Sequence, residues 1–165
     1  GIDAAIALDT VERRIRTGRT GTRLYLESGF DQLLHHFDVQ GYRASFDGGP
    51  VSAASAITFA IQVGPTYGGG FSICPDARIG DGLLDICIAH PPVSVLRACG
   101  IFLLAKGGRH TGLSCMEMRQ ARSLRIEFDR MPPAQVDGER LEDTVFDVSL
   151  APQALCVLAP KGTAA

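Results

Sequence analysis

The apolar residues of this chain change their period near Gly41. Upstream, Val11 and Ile15 follow Asp9, Thr10 and Glu12, and Thr17-Gly18 stops the turn, which predicts a first helix. Leu24, Tyr25, Phe30, Leu33, Leu34 and Phe37 recur at close to 3.6 residues and predict a second, so the first forty residues read as helical. Gly29 falls inside that second helix, where it costs about 1 kcal/mol relative to alanine. Downstream the apolar residues alternate instead. Ile57, Phe59, Ile61 and Val63 predict a half-buried strand, as do Leu84, Ile86 and Ile88, then Leu124, Ile126 and Phe128, then Phe146, Val148 and Leu150. Leu155 and Val157 predict a closing strand before Ala159-Pro160. One helix interrupts the series: Pro91-Pro92 and Ser94 introduce it, Val95, Leu96, Cys99, Phe102 and Leu103 form its apolar face, and Gly107-Gly108 ends it.

Strands therefore cluster rather than alternating with helices, which disfavours a doubly wound parallel sheet. The expected fold is mainly β with helices (α+β), an antiparallel β-sandwich with three helices packed on one side or at one end. The 165 residues suffice for one domain, expected over residues 1–160 with a frayed tail at 161–165.

Composition narrows the function classes. Hydrophobic residues make up 45% and charged residues 21%, ordinary for a globular protein, and a net charge of -2 argues against electrostatic capture of nucleic acid. The longest mostly apolar stretch, Val95 to Ala105, contains Arg97 and falls short of the roughly 20 residues a spanning helix needs. No secretory signal opens the chain. Membrane contact is thus expected to be peripheral and the location cytoplasmic. The five cysteines (Cys74, Cys87, Cys99, Cys115, Cys156) form no CxxC pair, so buried, reduced thiols are expected rather than zinc ligands. None of the four histidines has a partner at metal-ligand spacing, and structural roles are expected for all.

Three stretches carry candidate chemistry. Gly68, Gly69 and Gly70, between Tyr67 and Phe71, need a conformational reason: a tight bend, or close backbone approach to a ligand. Asp81-Gly82 is a turn dipeptide ahead of Leu83, Leu84 and Asp85, and a turn carboxylate flanked by carbonyls also suits Mg2+ or Ca2+. Asp137-Gly138-Glu139 fits a hairpin turn, and equally an acid poised as a general base beside a hydroxyl.

In this order, Gly64-Pro65-Thr66-Tyr67-Gly68-Gly69-Gly70-Phe71, Pro75-Asp76-Ala77, Asp81-Gly82-Leu83-Leu84-Asp85, Lys106-Gly107-Gly108-Arg109-His110 and Asp137-Gly138-Glu139 resemble the C-terminal domain of bacterial diacylglycerol-kinase-like lipid kinases. That group is related to sphingosine kinases and to NAD kinase. Gly1-Ile2-Asp3-Ala4 is similar to the family's opening "G-F-D-A", and Pro152-Gln153-Ala154-Leu155-Cys156-Val157 to its terminal strand. The resemblance implies an ATP-dependent enzyme that phosphorylates a lipid hydroxyl. Its nucleotide loop, Gly-Gly-Asp-Gly-Thr, belongs to an N-terminal domain, and nothing like that loop occurs here. The same resemblance implies a structural Mg2+ held by the Asp81 carboxylate and the carbonyls of Arg78 and Leu83, with Glu139 as general base, Asp137 beside it, and Asp3 in a water-mediated network around a catalytic Mg2+. Gly68, Gly69 and Gly70 would border the substrate and nucleotide cleft. Implied partners are a lipid substrate, the nucleotide-binding domain, the inner membrane face and a second copy in a homodimer; nucleic acid is not among them. One position departs from the family: Val63 stands where an asparagine is usual and cannot supply its amide. Two further readings compete, a soluble-substrate kinase acting on NAD and a non-catalytic sandwich that binds a lipid or a partner.

Overall fold

The computed structural model describes residues 1–154. The expected strand at Leu155 and Val157, Cys156 and the tail at 161–165 lie outside the described residues. Two helices open the chain, α1 (Ile2–Thr17) and α2 (Thr22–His35). Gly18 ends α1 in the left-handed conformation at φ 67°, with its N–H bonded to the Arg14 carbonyl. Arg13 fastens the pair by reaching Asp9 on its own helix and Asp31 on α2. The Ser28 hydroxyl donates to the Ile6 carbonyl at 3.0 Å.

The strands are β1 (Gln40–Phe46), β2 (Ser52–Ala56), β3 (Thr58–Gln62), β4 (Leu84–Ala89), β5 (Met116–Ala121), β6 (Ser123–Phe128), β7 (Ala134–Val136), β8 (Glu139–Leu141) and β9 (Val145–Ser149), with α3 (Val95–Ala105) between β4 and β5. They form an antiparallel four-stranded sheet in the order β2-β1-β6-β9, a three-stranded sheet β3-β4-β5, and the hairpin β7-β8. The two larger sheets enclose the main core. Tyr42, Leu84, Ile86, Ile88, Leu124 and Ile126 are buried there, with Phe59, Ile61, Phe146 and Val148 packed against them. Strand β4 is buried at all six positions because its second face is covered too. On that face Cys87 meets Ala60, Cys74 and Ala77 under the long β3–β4 connection.

The sandwich with helices at one side is the expected fold, but three strands had no sequence forecast. β1 carries its alternation on Tyr42 and Ala44, β2 is Ser-Ala-Ala-Ser-Ala, and β5 is half polar. Backbone pairing recruits all three, through registers such as Ala44 with Ile126 and Ile86 with Arg119.

Helix α3 buries Val95, Cys99 and Phe102 of its expected apolar face at least in part, and departs from expectation at Leu96 and Leu103. Ser94 caps it, accepting the Arg97 N–H at 3.3 Å. The buried side is Ala98, Cys99 and Ala105, whereas Leu96 is 84% and Leu103 52% exposed. The small residues face inward because α2 approaches closely. At Gly29, a Cβ would lie 2.2 Å from Phe102 Cζ, so glycine is what admits that ring.

Candidate functional site

Asp3 lies in the first turn of α1, where the helix end meets the edge of the sandwich. Two apolar-walled spaces adjoin it. One is a cavity of about 80 Å³ between the three helices and β3-β4-β5, walled by Ile6, Leu33, Ile57, Ile101, Phe102 and Met116 among others. The other is an open cleft of about 740 Å³ that runs from α1 to the sandwich edge and the β7-β8 hairpin. Tyr67 also borders both.

The Asp3 carboxyl is the polar focus. The Tyr25 hydroxyl donates to its Oδ1 at 3.4 Å, and Tyr67 bonds to it as well. Burial raises the Asp3 pKa above the ordinary carboxylate range, partly offset by those two hydroxyls. Burial and the nearby carboxylate together push both tyrosines up, so they are donors and never phenolates at ordinary pH. A half-buried carboxyl fed by two hydroxyls can take a hydroxyl or a solvated cation from the cleft side.

The glycine run forms a tight loop beside this group. Gly68, Gly69 and Gly70 are all left-handed, at φ 53°, 72° and 83°, and Tyr67 and Phe71 close the loop through reciprocal bonds of 3.1 and 2.8 Å. A Cβ at Gly68 would stand 2.7 Å from the Tyr25 ring. Lys106 Nζ donates to the carbonyls of Gly69, at 2.7 Å, and of Gly70, at 3.3 Å. Gly68 and Gly69 border the cleft and Gly70 does not.

Asp137 and Gly138 form the two-residue turn of the β7-β8 hairpin, at φ 50° and 93°, and both border the cleft. This is the left-handed pair a tight hairpin needs. Gln135 Oε1 accepts the Gly138 N–H at 2.7 Å. Glu139 follows on β8, solvent-exposed and one residue beyond the cleft lining.

Asp81 lies in an exposed turn away from that lining. Its N–H donates to the Arg78 carbonyl at 3.3 Å and its Oδ1 accepts the Leu83 N–H at 2.9 Å. These two bonds close the turn and leave Oδ2 without a protein bond, a free carboxylate oxygen of the kind a hard cation such as Mg2+ takes as ligand. No cluster of three or more His, Cys, Asp or Glu side chains of metal-holding geometry occurs among the described residues. The structure therefore brings Asp3, Gly68, Gly69 and Asp137 to one cleft. It leaves the Arg78, Asp81 and Leu83 turn, Gly70 and Glu139 outside its lining.

Several participants had no sequence signal. Tyr25 and Tyr67 are ordinary core aromatics until the fold aims them at Asp3. Asp85 is 6% exposed and accepts from Gln120 Nε2 at 2.9 Å. His110 is 1% exposed; its Nε2–H donates to the Ile73 carbonyl at 3.1 Å, and burial lowers its pKa, keeping it neutral. The Cys87 thiol lies 3.7 Å from that nitrogen and burial pushes it up to about 12, so it is no nucleophile. His90 bridges Glu117, at 2.8 Å, and the Ser55 carbonyl, at 3.1 Å. The four described cysteines are buried and free, as expected.

Residues 1–159 match the model of the YegS C-terminal NAD kinase beta sandwich-like domain. The chain belongs to that family. It is 33% identical over 107 residues to a Pseudomonas aeruginosa protein named "Probable lipid kinase YegS-like", an alignment covering 65% of this chain and 34% of that protein. Against a Mycobacterium tuberculosis protein named "Diacylglycerol kinase" it is 32% identical over 96 residues, covering 58% and 30%. The chain thus spans about a third of the length of these relatives. In fold it is similar to a solved structure of a candidate diacylglycerol kinase from Bacillus anthracis, with a TM-score of 0.61 at 18% identity over 87% of this chain and 45% of that one. Membership in a lipid-kinase family agrees with the resemblance carried by the motifs.

Proposed function

We propose that this chain is the acceptor-binding half of an ATP-dependent lipid kinase, a C-terminal domain working with an N-terminal nucleotide-binding domain. The observation that carries this reading is the cleft of about 740 Å³, mostly apolar in its lining and continuous at Asp3 with the smaller apolar cavity. An amphiphile with a hydrocarbon tail and a hydroxyl head matches that distribution, since the tail gains about 25 cal/mol per Å² buried and the head finds Asp3 and its tyrosines. Diacylglycerol is the first acceptor to try. NAD, polar over most of its surface, has no counterpart in those walls.

In the reaction the lipid oxygen forms a bond to the γ-phosphorus as the bond from phosphorus to the ADP oxygen breaks, and the hydroxyl proton passes to a base. Glu139 is assigned that role. Its hairpin turn borders the cleft, and closure against the partner domain would turn its carboxylate inward. Asp137, separated from it by Gly138, stands at the cleft lining beside it. Asp3, with Tyr25 and Tyr67, orients the head group. Arg78 and Leu83 carbonyls and the Asp81 carboxylate would hold Mg2+, which stiffens the turn ahead of β4 when bound. Gly68 and Gly69 let backbone, unshielded by side chains, face the cleft.

The test follows transfer of labelled γ-phosphate from ATP by the full-length protein, with diacylglycerol and other lipids in mixed micelles, and with NAD as a soluble acceptor. Transfer to a lipid that falls by two or more decades in Glu139→Gln is expected, the usual scale of a lost general base. Transfer to NAD alone, or transfer to lipid indifferent to Glu139, would overturn the assignment.

A further inference from the structure

Helix α3 is apolar on two sides, and the core uses only one. Ala98, Ile101, Phe102 and Ala105 wall the cavity described above. Turned away from them, Leu96, Gly100, Leu103 and Leu104 form an outward strip, with the leucines 84%, 52% and 36% exposed. The strip's surroundings are positive. No acidic residue occurs between Asp85 and Glu117, whereas Arg97, Lys106 and Arg109 do, all exposed, in a chain whose net charge is -2. Lys106 is turned to the glycine loop, bonded to the Gly69 and Gly70 carbonyls and set over the Phe71 ring; among the described residues neither Arg97 nor Arg109 has a carboxylate within ion-pair distance. The acids on the adjoining α2 are already engaged: Glu27 by Arg19 and Arg23, Asp31 by Arg13.

We infer that the outer face of α3 docks the protein on an anionic bilayer, lying in the interface with Leu96, Leu103 and Leu104 among the acyl chains and Arg97 and Arg109 at the head groups. An interfacial helix needs an apolar strip, a basic flank and no length to span, and α3 has all three. A second protein surface would suit the leucines but leaves the two unpaired arginines facing it. A phosphate-rich plane satisfies both. The placement also fits the cavity, because the helix wall that would meet acyl chains outside is the wall that lines the apolar space inside.

The inference deepens the lipid-kinase reading but is tested without it. The chain is floated with vesicles of phosphatidylcholine alone and of equimolar phosphatidylcholine and phosphatidylglycerol, without ATP or acceptor. Each basic residue near an anionic surface is worth about 1 kcal/mol, roughly fivefold in binding, so a preference of ten- to a hundredfold for the anionic vesicles at low salt is expected. Leu96→Glu with Leu103→Glu should lower that binding at least tenfold, and Arg97→Glu with Arg109→Glu should abolish the preference. The chain contains no tryptophan, so Leu96→Trp supplies a single fluorophore at an exposed position. Its emission should shift to the blue on anionic vesicles only. Absence of binding by the wild type, equal binding by the leucine variant, or an unshifted indole would overturn the inference. So would vesicle-free pairing of the chain through this face, read by light scattering and lost in the leucine variant. Vesicle binding without phosphoryl transfer would count against the kinase reading alone.

Discussion

Gly29→Ala separates a packing glycine from a merely tolerated one, because the two give opposite signs. In an exposed helix interior the change stabilises by about 1 kcal/mol. Here the new methyl carbon would fall 2.2 Å from Phe102 Cζ and 2.4 Å from Cε1, well inside the roughly 3.5 Å at which carbons rest. The ring cannot swing freely. It stacks on Phe71 at 4.8 Å, lies 6.2 Å from Tyr25 and meets Phe30 edge-on at 5.9 Å. The nearest free space is the 80 Å³ cavity it helps to wall, and entering that space means leaving Phe71. Overpacking of this kind costs about 1–3 kcal/mol and a lost aromatic pair about 1, against a propensity gain of about 1, for a net loss of about 1–3 kcal/mol. At this chain length that lowers Tm by about 2–12 °C in a calorimetric or circular-dichroism melt. Phe102→Leu in the same background should recover part of the loss, with a coupling of about 1 kcal/mol between the two sites. A rise in Tm for Gly29→Ala, or strictly additive effects, would refute the contact as the reason for glycine.

Other consequences follow from single contacts. Asp81→Ala removes the acceptor for the Leu83 N–H, so Tm should fall by about 2–3 °C without metal, and any gain in Tm on adding Mg2+ should vanish; melting curves with Mg2+ and with chelator that coincide in the wild type would remove the metal from the turn. Asp3 has its pKa raised in the folded state, so the fold binds more protons than the unfolded chain above the ordinary carboxylate pKa, and stability drops as pH climbs from there to the folded value. Asp3→Asn should flatten that slope and melt a few degrees higher at pH 7; equal pH profiles for the two proteins would contradict the burial. His110 runs the other way. Its lowered pKa means the unfolded chain gains the proton first, so stability declines as pH falls below about 6.5, and His110→Gln should lessen that decline in a pH series of denaturant midpoints.

What the sequence made legible was the part held by strong local pattern. β3, β4, β6 and β9 announce themselves by alternating Ile, Leu, Val and Phe, and all four contribute to the sandwich core. β1 and β2 do not, because their inward positions are alanines as often as aromatics. Their strand state comes from neighbours such as Phe128 opposite Tyr42, a partner 86 residues away that no local window contains. The candidate site divides the same way. The turns at Asp81-Gly82 and Asp137-Gly138 and the glycine run were legible, since each needs left-handed backbone and only certain residues supply it. The tyrosine partners of Asp3 were not. Tyr25 comes from α2 and Tyr67 from the β3–β4 connection, and only packing of α1 against both brings three polar groups to one point.

Helix α3 shows where periodicity itself is ambiguous. Val95, Leu96, Cys99, Phe102 and Leu103 satisfy a 3.6-residue rule, and so do Ala98, Ile101, Phe102 and Ala105, about a third of a turn round. Hydrophobicity alone favours the first set, which holds the leucines. Volume divides it: Val95, Cys99 and Phe102 pack inward beside the second set, and Leu96 and Leu103 do not. The helix packs against α2 at Gly29, where one aromatic ring already fills the space, so the remaining inward positions must be small. The leucines are then displaced outward by lack of room rather than by any polarity of their own. A soluble domain with no further use for them would gain solubility by replacing them with polar residues at almost no cost in folding, since exposed positions change stability by less than about 0.5 kcal/mol. On the docking proposed above, their presence on the exposed side, beside Arg97 and Arg109, reflects what the helix meets rather than how the chain folds.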